Sequence, residues 1–211
     1  MTIQQLHFEC SNLTLKFDKK VICDQFDFNC IGPGIIQIEG ENGSGKTSLL
    51  KAFAGLMSAA NSKILLNGIT LEKIQRGHYS FFSTTSLGLC PELTGIEHIE
   101  LISRSLGIDR EIARKQIQEF CELSIFEDIL QLQSENYSQG MKQMLRLFLH
   151  LFFKPQILFL DEPFVTMSPT NRAFFERFIE RLSVESLIFI TEQKFANRPE
   201  RHLKTIRMGE L

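Results

Sequence analysis

The spacing of apolar residues changes along the chain, and each change predicts an element. Over Leu13–Phe17 apolar and polar residues alternate, the two-residue period of a half-buried strand. Ile35–Gly40 is a nearly continuous apolar run, as in a strand buried on both faces, and Ile31–Gly34 carries the glycine and proline of a turn before it. After Gly45 the period becomes helical: Leu49, Leu50, Phe53, Ala54 and Met57 recur at three- and four-residue steps. Lys63–Gly68 reads as part of a hairpin. From about Pro91 to Phe153 the pattern is mostly helical, with helices over Thr94–Gly107, Asp109–Ser124 and Met141–Phe153. The first has a threonine cap with Glu97 three residues on. The third is largely buried and stops at Lys154 and Pro155. Ile157–Pro163 is an apolar strand ending in carboxylates, followed by a helix around Asn171–Leu182 and a strand over Ser186–Thr191. Strand, helix, helical insert, strand, helix, strand is the order of an α/β domain with a mostly parallel sheet, preceded by an antiparallel β part. We expect a single domain over 1–211, with a core of 1–84 and 155–211 and a helical subdomain of about 85–154.

Composition adds little to this picture but excludes several alternatives. Of 211 residues, 43% are apolar and 23% charged, ordinary values for a globular chain and not for a disordered one. A formal net charge of −2 offers no attraction to a polyanion, so a nucleic-acid partner is not expected. Met1–Cys10 lacks the basic start and apolar run of a secretory signal. The longest apolar run, about Leu147–Phe153, is interrupted by His150 and falls well short of the about 20 residues a membrane span needs. Any membrane association is therefore expected to go through a partner. The five cysteines form no CxxC pair and read as reduced thiols, with no clustered metal ligands.

Three segments carry chemistry. Gly40–Thr47, GENGSGKT, fits the phosphate-binding P-loop pattern, with a strand entering and a helix leaving. Its glycines let backbone N–H groups approach a phosphate, and the helix N-terminus adds the positive end of its dipole. Gly40, Asn42, Gly43, Ser44, Gly45, Lys46, Thr47 and Ser48 are thus the candidates for holding ATP. Lys46 is placed for the terminal phosphates and Thr47 for Mg2+. An ordinary glycine-rich turn is the alternative. Leu158–Pro163 supplies the second segment: a buried strand that presents Asp161 for the metal and Glu162 to orient or deprotonate an attacking water. Solvated carboxylates at a strand end are the bland reading. The third segment, Tyr137–Gln143, lies 23 residues before the acidic pair, counted from Ser138 to Asp161, at the start of a helix. Ser138 and Gly140 there either donate to a phosphate or simply cap the helix.

Together, in this order, the segments resemble the ATP-binding subunits of ABC transporters, and Tyr137–Gln143 resembles the YSxGM variant of that family's signature. The resemblance runs over essentially the whole chain. It implies two such domains, identical or related, facing head-to-tail, so that Ser138 and Gly140 of one touch ATP held by the other. It also implies a transmembrane permease partner and a location on the cytoplasmic face of the inner membrane. Phe17 matches the place where the family stacks an aromatic ring on adenine, although with nineteen phenylalanines an ordinary core role fits equally. The Ile35–Gly40 strand, the Asp161–Phe164 wording and the short chain are similar to haem-exporter (cytochrome c biogenesis) subunits, and other small export subunits share them.

The chain departs from the family at three switch positions. Where the family has a glutamine after a strand, this sequence has Thr85 or Ser86. Met167-Ser168 stands where Leu-Asp is usual, and Glu192 replaces a histidine that contacts the γ-phosphate. A carboxylate accepts hydrogen bonds but does not donate them, and it adds repulsion. Loss of one transition-state donor costs on the order of 10²–10³ in rate. The resulting expectation is an ATPase with slow turnover; an ATP-dependent clamp or regulatory subunit is the alternative. A shifted loop alignment would give Gln193 the switch role.

Overall fold

Two long strands open the chain. β1 (Leu6–Phe17) and β2 (Lys20–Gly32) pair antiparallel from Leu6 opposite Gly32 to Phe17 opposite Lys20, with register shifts between Cys10 and Lys16. The computed structural model describes residues 5–17, 20–57, 62–73, 79–83, 88–120, 124–192 and 201–210. β3 (Gly34–Glu39) follows the Gly32–Pro33 turn and leads into α1 (Lys46–Phe53). β4 (Lys63–Leu66) and β5 (Ile69–Thr70) form a hairpin closed by Asn67-Gly68. Both turn residues have positive φ, 51° and 76°, which is what a two-residue turn matched to the twist of its strands requires.

β6 (Tyr79–Ser83) precedes a helical stretch comprising α2 (Gly95–Ser105), α3 (Arg110–Phe120), α4 (Ser124–Gln131) and α5 (Gln139–Phe152). β7 (Ile157–Asp161), α6 (Pro169–Leu182), β8 (Leu187–Thr191) and β9 (His202–Arg207) complete the order. The strands make a four-stranded antiparallel sheet, β2-β1-β4-β5, and a five-stranded parallel sheet, β6-β7-β8-β3-β9. The chain is therefore α/β, with an antiparallel N-terminal part and helices inserted between β6 and β7, as its sequence pattern indicates.

The parallel sheet is buried on both faces, and the two-residue period sorts its side chains. Ile36, Ile38, Ile157, Phe159, Leu187 and Phe189 face the antiparallel sheet and α1; Ile35, Leu158, Leu160, Ile188 and Ile190 face α5 and α6. Phe189 is the centre of the first face. Its ring lies 4.7 Å from Phe8, 5.4 Å from Phe53 and 5.3 Å from Phe159, so one aromatic cluster ties four elements together. Each such ring pair adds about 0.5–1.5 kcal/mol beyond the area it buries. Cys10 and Cys30 are buried nearby, and burial pushes both thiols up to about 12, so they are inert apolar side chains here. Cys121 lies outside the described residues.

Of the helix expected over Asp109–Ser124, the described residues show Arg110–Phe120 as α3, and Ser124 belongs to α4. Thr94 caps α2 with the reciprocal Glu97 contact, as its spacing indicates. Gly95 lets α2 approach α4: a Cβ there would lie 2.3 Å from the Ile129 carbonyl oxygen. Among the described residues no helix is long and apolar enough to cross a membrane.

α5 also carries a buried titratable group. The Nδ1 atom of His150 is hydrogen-bonded with Ser80 Oγ of β6, its Nε2 is enclosed with no partner among the described residues, and Phe82 meets the ring edge-on at 5.5 Å. Burial pushes its pKa down from 6.5 to about 4. The unfolded chain thus binds more protons than the folded one between those values. Stability held in full above about pH 6.5 is lost as pH falls toward 4, by up to about 3 kcal/mol. We predict that His150→Gln flattens the pH dependence of the urea midpoint over that interval. An unchanged slope would remove His150 as its source.

Candidate functional site

The carboxyl edge of the parallel sheet gathers the polar residues. Beyond β3 the chain turns through Gly40–Gly45 and enters α1 at Lys46. Gly45 is the N-cap of α1, with φ 106° and no side-chain cap, so the first N–H groups of the helix have no capping side chain. A Cβ at Gly45 would also meet Ile22 of β2 at 2.6 Å, so both backbone conformation and space call for glycine. Lys46 is only 5% exposed and folds back over the loop, donating from Nζ to the Gly40 carbonyl at 2.9 Å and the Glu41 carbonyl at 3.0 Å. Ser44 Oγ is buried without a partner among the described residues. An open cavity of about 350 Å³ is lined by Ile22, Asn42, Gly43, Gly45, Lys46, Thr47, Ser48 and Glu162.

The acidic residues enter from β7. Asp161 Oδ1 accepts from Thr47 Oγ1 at 3.0 Å and from Thr191 Oγ1 at 2.8 Å. The fully buried Thr191, at the end of β8, accepts the Glu162 N–H on its hydroxyl at 2.9 Å and on its carbonyl at 3.2 Å. These bonds hold Glu162 at φ 45°, a left-handed conformation that ordinarily costs about 1–3 kcal/mol in a residue with a side chain. A strained carboxylate on a cavity wall, fixed by its neighbours, is a usual feature of reacting sites.

The arrangement has the chemistry of a phosphate and Mg2+ site. An uncapped helix N-terminus, an enclosed ammonium and an orphaned hydroxyl offer donors to an anion. Thr47 and Asp161 sit together as one hydroxyl and one carboxylate. That small set suits Mg2+, which takes most of its ligands from waters and phosphates; no group of three or more metal-ligating side chains occurs among the described residues.

Not every candidate residue lies at the cavity. Ser138 is the N-cap of α5, its Oγ accepting from the Met141 N–H at 3.2 Å, and Gly140 follows in the first turn. Neither lines the cavity. The structure joins that helix start to the acidic loop through a residue the sequence reading passed over. Gln143 Nε2 donates to the Pro163 carbonyl at 2.8 Å, and its Oε1 accepts from Thr166 Oγ1. A lone glutamine in an amphipathic helix carries no signal of such a role, and neither do Thr191, an ordinary strand threonine, or Ile22. The Phe17 side chain, Thr85, Ser86 and Gln193 lie outside the described residues.

The family model described as ABC transporter matches residues 23–165. The chain belongs to the ABC transporter family. It is 28% identical over 160 residues to the ABC-type transporter ATP-binding protein EcsA of Bacillus subtilis, covering 75% of this chain and 65% of that protein. It is 32% identical over 146 residues to the O-antigen export system ATP-binding protein RfbE of Yersinia enterocolitica, covering 68% and 56%. ABC transporter A family member 12 of Arabidopsis thaliana matches at 29% over 161 residues, but the chain spans only 17% of its length. In fold, the chain resembles an ABC transporter ATP-binding protein of Pyrococcus furiosus, with a TM-score of 0.78 at 16% identity over 97% of this chain and 98% of that one.

Two of the departures from the usual ABC pattern acquire a local explanation. Ser168 caps α6, its Oγ accepting from the Asn171 N–H at 3.3 Å, and Pro169 starts the helix. The α6 helix therefore begins two residues before the Asn171 of the sequence reading. Glu192, 12% exposed, lies 3.7 Å from the Arg172 guanidinium, which offsets the repulsion expected of a bare carboxylate. Its backbone carbonyl accepts from Gln37 Nε2 at 3.2 Å.

Thr191 holds both acidic residues, so Thr191→Val tests the construction of this ABC site at constant volume. We predict a loss of about 1–3 kcal/mol in urea unfolding at unchanged m-value, because Asp161 loses a buried donor and the Glu162 N–H an acceptor. A change below about 0.5 kcal/mol would show that the hydroxyl is not a support of the site.

Proposed function

We propose that the chain is a Mg-ATP-hydrolysing domain that closes as a pair on ATP and drives a transmembrane permease from the cytoplasmic face of the membrane. The convergence of Lys46, Thr47, Asp161 and Glu162 on one cavity edge carries the reading. Mg2+ bound there would neutralise phosphate charge and orient the terminal phosphate. Backbone N–H groups from Gly43 to Ser48 bind the phosphate chain, and Lys46 exchanges its loop carbonyls for phosphate oxygens. Thr47 and Asp161 would hold the metal. Glu162, fixed in its left-handed conformation, orients the attacking water and takes its proton.

The second domain enters because Ser138 and Gly140 do not line their own cavity, although they form a helix start suited to phosphate. Their use requires an ATP held by another copy or a relative. We assign residues 1–84 and 155–211 to the ATP-binding core and 85–154 to the helical insert that meets the permease. Export is the direction we favour, supported by the likeness to the O-antigen export subunit RfbE. A haem substrate rests only on the wording of Ile35–Gly40 and Asp161–Phe164. Turnover is slow in this reading, since Glu192 provides no donor to the γ-phosphate.

Removing the Lys46 ammonium takes away a charge-assisted donor and leaves the fold. Lys46→Ala should weaken Mg-ATP binding on the order of 100-fold, measured by calorimetry on a protein with an unchanged circular-dichroism spectrum. Undiminished affinity would overturn the phosphate site. Glu162→Gln should retain ATP and accumulate the paired form in size-exclusion runs with ATP and the membrane partner. Absence of pairing under those conditions would overturn the role of Ser138 and Gly140.

A further inference from the structure

Glu192 places a third carboxylate at the edge where Asp161 and Glu162 already stand. It directly follows Thr191, whose hydroxyl binds Asp161 and whose hydroxyl and carbonyl receive the Glu162 N–H. Among the described residues that line the cavity, Lys46 is the one lysine or arginine. A site of that composition discriminates against the more highly charged of two nucleotides, because each added phosphate meets the same carboxylates.

Arg172 stands against this. It lies in the first turn of α6, its guanidinium 5.2 Å from the Phe164 ring centroid, two residues beyond Glu162. Its Nε donates to Glu176 at 2.8 Å, and a terminal nitrogen lies 3.7 Å from Glu192 Oε1. The three side chains are between 12% and 29% exposed, too little for water and salt to screen them as at an open surface. The cation is held from three directions, and one of those contacts is the carboxylate at the switch position.

We propose that Arg172 is a specificity-determining residue: by neutralising Glu192 it lets the site accept the third phosphate of ATP in preference to ADP. It acts through Glu192 and is a positioning and charge-balancing group, not one that reacts. The inference rests on the ATP-binding reading above. It explains how a glutamate is tolerated where the family resemblance implies a γ-phosphate donor.

The test measures Mg-ATP and Mg-ADP affinities of the full chain by competition against a fluorescent ADP. Arg172→Gln should lower the ATP:ADP affinity ratio on the order of tenfold, the size expected for one unit charge in a partly screened site. Arg172→Lys, which keeps the charge, should hold the ratio within about threefold. Adding Glu192→Gln to Arg172→Gln should restore it, a rescue that loss of helix support alone would not give. If Arg172→Gln fails to fold, Glu192→Gln alone should raise the ratio by a similar factor. A ratio that moves less than about twofold in folded Arg172→Gln, or in Glu192→Gln where the arginine variant does not fold, with ADP still bound, overturns the role of Arg172 and leaves the ATP site standing. A wild-type chain that binds neither nucleotide would instead overturn the ATP reading itself.

Discussion

The site depends on one buried hydroxyl. Thr191 donates to Asp161 and accepts from the backbone of Glu162, while Thr47 reaches the same Asp161 oxygen from α1. Three elements that are distant in sequence thereby meet at one carboxylate. Such a junction is possible because β7 and β8 are parallel neighbours in register, Asp161 opposite Thr191, so both strands end at the same level. Parallel strands present their carboxyl ends together, and the loops beyond them share one crevice. The position of the chemistry thus follows from strand direction, and its precision follows from the hydrogen bonds of Thr191.

The precision also needs a sheet that does not move. Phe159 and Phe189 lie on the face of β7 and β8 that packs against α1 and the antiparallel sheet, stacked at 5.3 Å. Phe53 of α1 meets Phe189 edge-on, so the helix that begins with Lys46 and Thr47 is anchored at its far end to the strand that ends in Thr191. A core at crystal-like density has low compressibility and resists small shifts.

Much of this was legible in the sequence, for physical reasons. The P-loop declares itself because glycine spacing, lysine and flanking periodicity all serve one backbone shape; Asp161 and Glu162 declare themselves because carboxylates ending an apolar strand are unusual. The start of α6 at Pro169 did not, since its first buried apolar residue is Phe174. Thr191 and Gln143 were invisible for another reason. Their function is a hydrogen bond to a residue 30 or 20 positions away in sequence, and no local pattern records a partner at that distance. Glu192 was legible as a departure but not as a paired charge, because Arg172 reads as an ordinary helix-surface arginine until α6 is placed beside β8.

That pairing changes how the departures should be understood. A histidine-to-carboxylate change beside a triphosphate site, taken alone, is a loss of a donor plus a gain of repulsion. With a guanidinium at 3.7 Å the repulsion is offset. Those two effects act on different steps: charge governs whether the nucleotide is held, whereas a donor to the developing phosphate charge governs how fast it reacts. The start of α6 is built to keep the cation in place, with Ser168 capping, Pro169 fixing the first turn, Phe164 beneath the guanidinium and Glu176 one turn on. A single exposed arginine would lose most of its effect to solvent, and the contacts with Phe164, Glu176 and Glu192 are what make its charge count at the sheet edge.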